Sequence, residues 1–170
     1  MQQVYRTLLA ATLMVVVPAA ILPAAAQDGE EHPRWFGGGY DDVTTLAYGI
    51  PDSDYVALHF SCAAGKPVVN AYVQDEESSA AVGALMQVRL SAGGQQVAFS
   101  GKAMPNEDSG GKDLKGELPL DGTLRRILTA TGTLEIVVDG HIQRYAMDGA
   151  AGPAAAMLAA CDAPKPEASQ

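Results

Sequence analysis

The chain has 170 residues, 48% of them hydrophobic and 6% aromatic, with 11 basic side chains against 20 acidic ones and a formal net charge of -9. That length suits one core plus processing segments, since a single domain commonly takes roughly 100–200 residues. The acidity argues against nucleic acid and anionic membrane surfaces as partners, because contact with phosphate relies on Lys and Arg.

Met1 to Arg6 is a short basic start, and Thr7 to Pro23 is an apolar run. Ala24-Ala25-Ala26 then offers the A-x-A pattern of a signal-peptidase site ahead of Gln27, which predicts a signal peptide over 1–26. A membrane anchor needs about 20 predominantly apolar residues, and Pro18 and Pro23 interrupt this run. No second apolar segment is long enough to span a bilayer, so no membrane span is expected after cleavage. Removing 1–26 takes one basic residue, Arg6, and no acidic one, so the net charge moves from -9 to -10.

Cys62 and Cys161 survive the cut. In an oxidising exported compartment an even pair reads as a disulfide. It would close a loop of about 100 residues, for which the chain-entropy model gives roughly 4–5 kcal/mol as an upper figure. A metal or redox pair is the alternative, but the chain has no C-x-x-C.

Residues 27–34 are acidic and end near Pro33, and read as a flexible leader. Trp35-Phe36 precede Gly37-Gly38-Gly39, which reads as a mobile turn beside a core tryptophan. Thr44 to Ile50 is the first predicted strand, and Pro51-Asp52-Ser53-Asp54 is a turn cluster. The clearest alternation follows. Val56, Leu58, Phe60 and Cys62 fall on one face, with Tyr55, Ala57, His59 and Ser61 on the other, which predicts a half-buried strand. Val68 to Val73 is the next strand, and Asp75 to Ser79 a polar loop.

Ala84, Met86, Val88 and Leu90 alternate with Leu85, Gln87, Arg89 and Ser91, and after Gly93-Gly94 the chain returns through Val97 to Phe99 as a hairpin. Pro105 to Asp113 reads as an exposed polar loop, and Leu114 to Leu120 as a short strand. Leu124, Ile127 and Leu128 stand at helical spacing within Thr123 to Thr131, ahead of Gly132. Leu134, Ile136 and Val138, the Asp139-Gly140 turn and Ile142 to Met147 predict a closing hairpin. Pro153 to Cys161 predicts a final helix with proline near its start.

The sum is a mainly β fold, an antiparallel β-sandwich or barrel of about seven to eight strands with one short internal helix and a C-terminal helix. It forms a single domain over 35–162, followed by a disordered tail over 163–170.

The catalytic inventory is thin. His32 stands in the leader, His59 on the polar face of a strand, and His141 after a turn. A triad of His59 with Ser61 or Ser100 and Asp54 can be named, but no G-x-S-x-G elbow accompanies it. H-E-x-x-H is absent, and Asp52-Ser53-Asp54 lacks the later Gly and Glu of a calcium loop. Met86, Met104 and Met147 with a histidine would suit Cu(I) as thioether ligands, though strand methionines ordinarily fill gaps. The expectation is a protein with no catalytic residues, no metal and no cofactor. By alternation, Tyr55, His59, Tyr72 and Arg89 form the candidate contact surface.

Two resemblances add to this. Leu134-Glu135-Ile136-Val137-Val138-Asp139-Gly140, Tyr145 to Ala150 and the final Leu158-Ala159-Ala160-Cys161 resemble small exported β-sandwich proteins of alphaproteobacteria, of the invasion-associated locus B type. That likeness implies a periplasmic or surface accessory protein without established enzyme chemistry, and the expectation for this chain is a non-enzymatic binding or envelope-associated accessory protein, periplasmic or secreted, with an envelope protein as partner. Phe60-Ser61-Cys62-Ala63-Ala64-Gly65-Lys66 and Ser100-Gly101 are similar to periplasmic inhibitors of c-type lysozyme. In that family the Ser-Gly begins an inhibitory loop, which adds Ser100 to the candidate binding residues and places Met104 near the family's aromatic. An acidic surface suits a basic enzyme through electrostatic steering.

Overall fold

The computed structural model describes residues 32–107 and 109–164. The predicted signal peptide, residues 27–31 of the leader and residues 165–170 of the tail lie outside them.

The described chain forms one antiparallel sheet of nine strands in the order β1-β2-β3-β4-β7-β6-β5-β8-β9. The strands are β1 Arg34–Tyr40, β2 Val43–Gly49, β3 Val56–Ala63, β4 Val68–Asp75, β5 Leu85–Ala92, β6 Gln95–Pro105, β7 Lys112–Pro119, β8 Thr133–Val138 and β9 His141–Ala146. Two helices complete the fold, α1 Gly122–Leu128 and α2 Ala151–Asp162. The mainly β class, both helices and the closing hairpin are as expected, with slightly more strands.

The additional strand is β1. Gly37-Gly38-Gly39 is not a mobile turn but strand, paired with Leu46, Thr45 and Thr44 of β2. α2 packs closely on this edge, and a Cβ on Gly37 would stand in contact with Pro153 at 3.4 Å. Glycine weakens a strand when nothing packs on it, and here a helix and a neighbouring strand supply what the residues lack.

The sheet curls, and its two edges meet. Trp35 of β1 is buried and its Nε1 donates to the Ala146 carbonyl at the end of β9, 2.7 Å away. Tyr48 stacks edge-on against both Trp35 and Tyr145, with ring centroids 5.3 and 5.0 Å apart. Bridging the edges in this way limits the open strand surface that invites association.

Small residues on the inner face make room for Phe99. Phe60, Ala71 and Gly116 stand in one cross-strand row. A Cβ on Gly116 would collide with the Phe99 ring and come within 2.7 Å of the Ser100 carbonyl. Phe99 thus occupies the space that a side chain at position 116 would need.

α1 starts at Asp121, whose carboxylate accepts from the Thr123 and Leu124 amides at 2.8 and 2.9 Å, a standard N-cap. Its Leu124, Ile127 and Leu128 are fully buried. α2 buries Ala154, Met157, Leu158 and Cys161, the i, i+3, i+4, i+7 stripe of a core-facing helix. The predicted disulfide is present, with Cys62 of β3 joined to Cys161 of α2 across a Cα separation of 5.8 Å. Among the described residues no helix is long and apolar enough to cross a membrane.

One feature of β3 corrects the alternation read from sequence. Tyr48 pairs with Leu58 but Gly49 pairs with Val56, so Ala57 is an extra residue opposite β2, a β-bulge. Ala57 turns into the core, 6% exposed, instead of facing solvent with His59. Val56 in turn lines the outer surface beside His59. Gly49 is required at this point, since a Cβ there would run into the Tyr55 carbonyl and sit 2.9 Å from the Val56 Cα.

Candidate functional site

The inward side chains of β2, β3 and β4 build the core, which leaves Thr45, Ala47, His59, Tyr72 and Gln74 pointing the other way. Register puts Phe36, Ala47, His59, Tyr72 and Lys115 in one line across β1, β2, β3, β4 and β7. Ala47 is the smallest member of this line and lies between Phe36 and His59, so the row dips there. The backbones carrying Phe36 and Tyr72 are three strands apart, roughly 14 Å at ordinary strand spacing, and their rings bracket the dip.

The result is a cavity of about 370 Å³ lined by Phe36, Thr45, Ala47, Val56, His59, Tyr72, Gln74 and Asp113. That volume falls at the small end of ligand pockets, and an apolar floor with a few polar groups is their usual make-up. A depression of about 420 Å³ near the β5–β6 turn is larger, but Ser91, Ala92, Gly94, Gln95, Gln96, Thr133 and Glu135 give it neither an aromatic ring nor an apolar floor.

His59 and Tyr72 form the centre of the cavity, with ring centroids 5.5 Å apart. Burial lowers the His59 pKa below its ordinary value, which keeps the imidazole neutral at pH 7 and above. On the far side of Tyr72 the Lys115 ammonium stands 5.0 Å from the ring centroid, a cation–π contact. At the polar end, Asp113 Oδ1 accepts from Asn106 Nδ2 at 3.0 Å. Asn106 also accepts from the Ser109 amide through its own Oδ1, so one asparagine shapes the β6–β7 loop and orients the carboxylate.

Of the sequence-predicted residues, the structure brings His59 and Tyr72 into direct contact. Tyr55, 44% exposed, lies just before β3 and lines an adjoining cavity of about 230 Å³ that shares Val56 and Gln74 with the first. Arg89 is exposed on β5, four strands along the sheet from His59, and is no part of this group. Ser100 is exposed in the middle of β6, and Gly101 beside it is buried. The Ser100-Gly101 pair therefore does not begin a loop; the loop starts only after Pro105.

Sequence reasoning missed Phe36, Thr45, Ala47, Val56, Gln74 and Asp113. The alternation of Thr45 and Ala47 against the core-facing Leu46 and Tyr48 was available as a signal. The pairing of β4 with β7, which delivers Asp113, had none.

Residues named for other chemistry are dispersed. Asp54 is exposed in the turn before β3, and among the described residues no hydrogen bond links His59 to Ser61 or Asp54. Met104 is exposed, Met147 is buried and Met86 packs against the core, so the three share no face. Among the described residues no group of three or more His, Cys, Asp or Glu is placed to hold a metal ion. His141 Nδ1 lies 2.8 Å from Glu77 Oε2, an exposed contact between β9 and the segment after β4. No protein-family model matches the chain, and neither the curated proteins nor the solved structures include a significant match to it.

Proposed function

We propose that the chain is a non-enzymatic binding protein, exported to the periplasm or secreted and associated with an envelope partner, whose recognition site is the cavity over Ala47. The observation that carries this reading is the His59–Tyr72 pair, turned away from the core and lining an open aromatic cavity. His59 packs on the Tyr72 ring, and among the described residues no hydrogen bond or ion pair ties it to an acid or a hydroxyl, an arrangement suited to packing against a ligand. The Cys62–Cys161 disulfide supports an oxidising compartment. The resemblance carried by the 134–161 segment supports an accessory role.

The test is a ligand-observed fragment screen by saturation-transfer NMR on the wild-type protein and on Ala47→Leu. Leucine at 47 fills the dip and leaves every hydrogen bond of the site in place. Fragments that bind the wild type and are lost in the variant are the expected result. Equal binding to both proteins, or no binder in the wild type, overturns the assignment of this cavity.

A further inference from the structure

The lining of the cavity also selects a class of ligand, an inference that rests on the binding reading above. Among the eight lining residues Asp113 is the one acidic or basic side chain besides His59, and burial of His59 disfavours its charged form. Asp113 receives a single hydrogen bond, from Asn106 to Oδ1, which leaves Oδ2 without a partner among the described residues. Of the two basic residues of β7, Lys112, next to Asp113, takes the opposite face of the strand and its Nζ donates to the Ser78 carbonyl at 2.9 Å. Lys115, on the same face as Asp113, leans over Tyr72, and among the described residues no ion pair joins either to Asp113. Tyr72 already receives one cation on its ring, and Phe36 supplies a second ring across the dip. Rings and a carboxylate around a small apolar floor are the chemistry that recognises organic ammonium groups. The chain's net charge of -9 adds a long-range field of the same sense.

We propose that the cavity binds a small organic cation, an ammonium on an aromatic or alkyl body, with the body between Phe36 and Tyr72 and the charge toward Asp113. A phosphate or carboxylate ligand would meet the Asp113 charge at the same position. Lys115, two residues along β7, limits the affinity, because its charge is of the same sign as the ligand's.

Three probes of similar shape separate the possibilities: 2-phenylethylammonium, 2-phenylethanol and phenylacetate, each titrated into the full disulfide-bonded chain and followed through the His59 and Tyr72 resonances. The ammonium is expected to bind more tightly than the alcohol by roughly threefold to tenfold, the range of a partly exposed cation contact. Asp113→Asn is expected to remove that preference, and Lys115→Gln to increase it. The two substitutions act in opposite directions, so neither result reduces to a general loss of folding, and Lys115→Gln serves alone if Asp113→Asn fails to fold.

Tighter binding of phenylacetate, or an ammonium preference unchanged in Asp113→Asn, overturns the cation assignment and leaves the cavity as a binding site. No response of His59 or Tyr72 to any probe overturns both.

Discussion

His59 sits on a strand whose other face is core and whose own face opens into the cavity, and that position fixes its protonation. Burial holds its pKa below the ordinary 6.5. As pH falls, the unfolded chain takes up this proton first, so stability is unaffected well above 6.5, declines as pH drops through 6.5, and levels off below the folded-state value. His59→Gln removes this one contribution while the carboxylates continue to titrate in both proteins. The melting temperature of the variant relative to wild type is therefore expected to rise between pH 7.5 and pH 5. A difference that is flat across that range would show that His59 is as easily protonated folded as unfolded. Tyr145 shows the same physics with the opposite sign. Burial raises its phenol pKa, and the retained proton donates to Gln143 Oε1 at 2.8 Å.

Among the elements, α2 depends most on a covalent tie. Eight of its twelve residues are Ala or Gly or Pro, its N-terminal residue has no side-chain cap, and its buried stripe is Ala154, Met157, Leu158 and Cys161. A stripe that small gives limited apolar burial for holding a helix on β1, β2 and β3. The disulfide supplies the rest, together with the Arg125–Asp162 pair, whose bidentate contact lowers the Asp162 pKa. Cys62→Ser with Cys161→Ser is expected to lower the unfolding free energy by about 2–5 kcal/mol, the usual cost of losing a native disulfide. A urea titration at fixed pH measures it, and limited proteolysis should then cut first within 151–162. An unchanged midpoint would mean that packing alone seats the helix. This element and its tie were legible in the sequence, because proline, alanine spacing and a cysteine pair are local signals. β1 was not. Gly37-Gly38-Gly39 has no strand propensity of its own, and its conformation comes from pairing with β2 and from Pro153 above it.

At the scale of the whole molecule, the site follows from strand order, and order is what sequence conveys least. Alternation exposed His59 and Tyr72 correctly but placed Arg89 with them, because periodicity tells which face a residue takes and not which strand lies next. Pairing of β4 with β7 brings in Asp113, and pairing of β1 with β2 brings in Phe36. Phe36 in turn is held where it is because β1 is anchored at its first residues. Trp35 reaches from one edge of the sheet to the carbonyl of Ala146 at the other, and its ring joins Tyr48 and Tyr145 in one aromatic cluster. Trp35→Phe keeps a ring in the cluster and deletes the N–H donor. It leaves the Ala146 carbonyl without that partner in a partly buried position, which is expected to cost about 0.5–1.5 kcal/mol, the net value of one hydrogen bond. If the bond closes the sheet, its loss should be felt locally first. Amide hydrogen exchange in β1 and β9 should accelerate more than in the central β4 and β7, and ligands of the cavity should weaken through Phe36 although Trp35 does not touch them. Uniform acceleration across all nine strands would instead show that Trp35 contributes to global stability alone and that the edges are held together by other contacts.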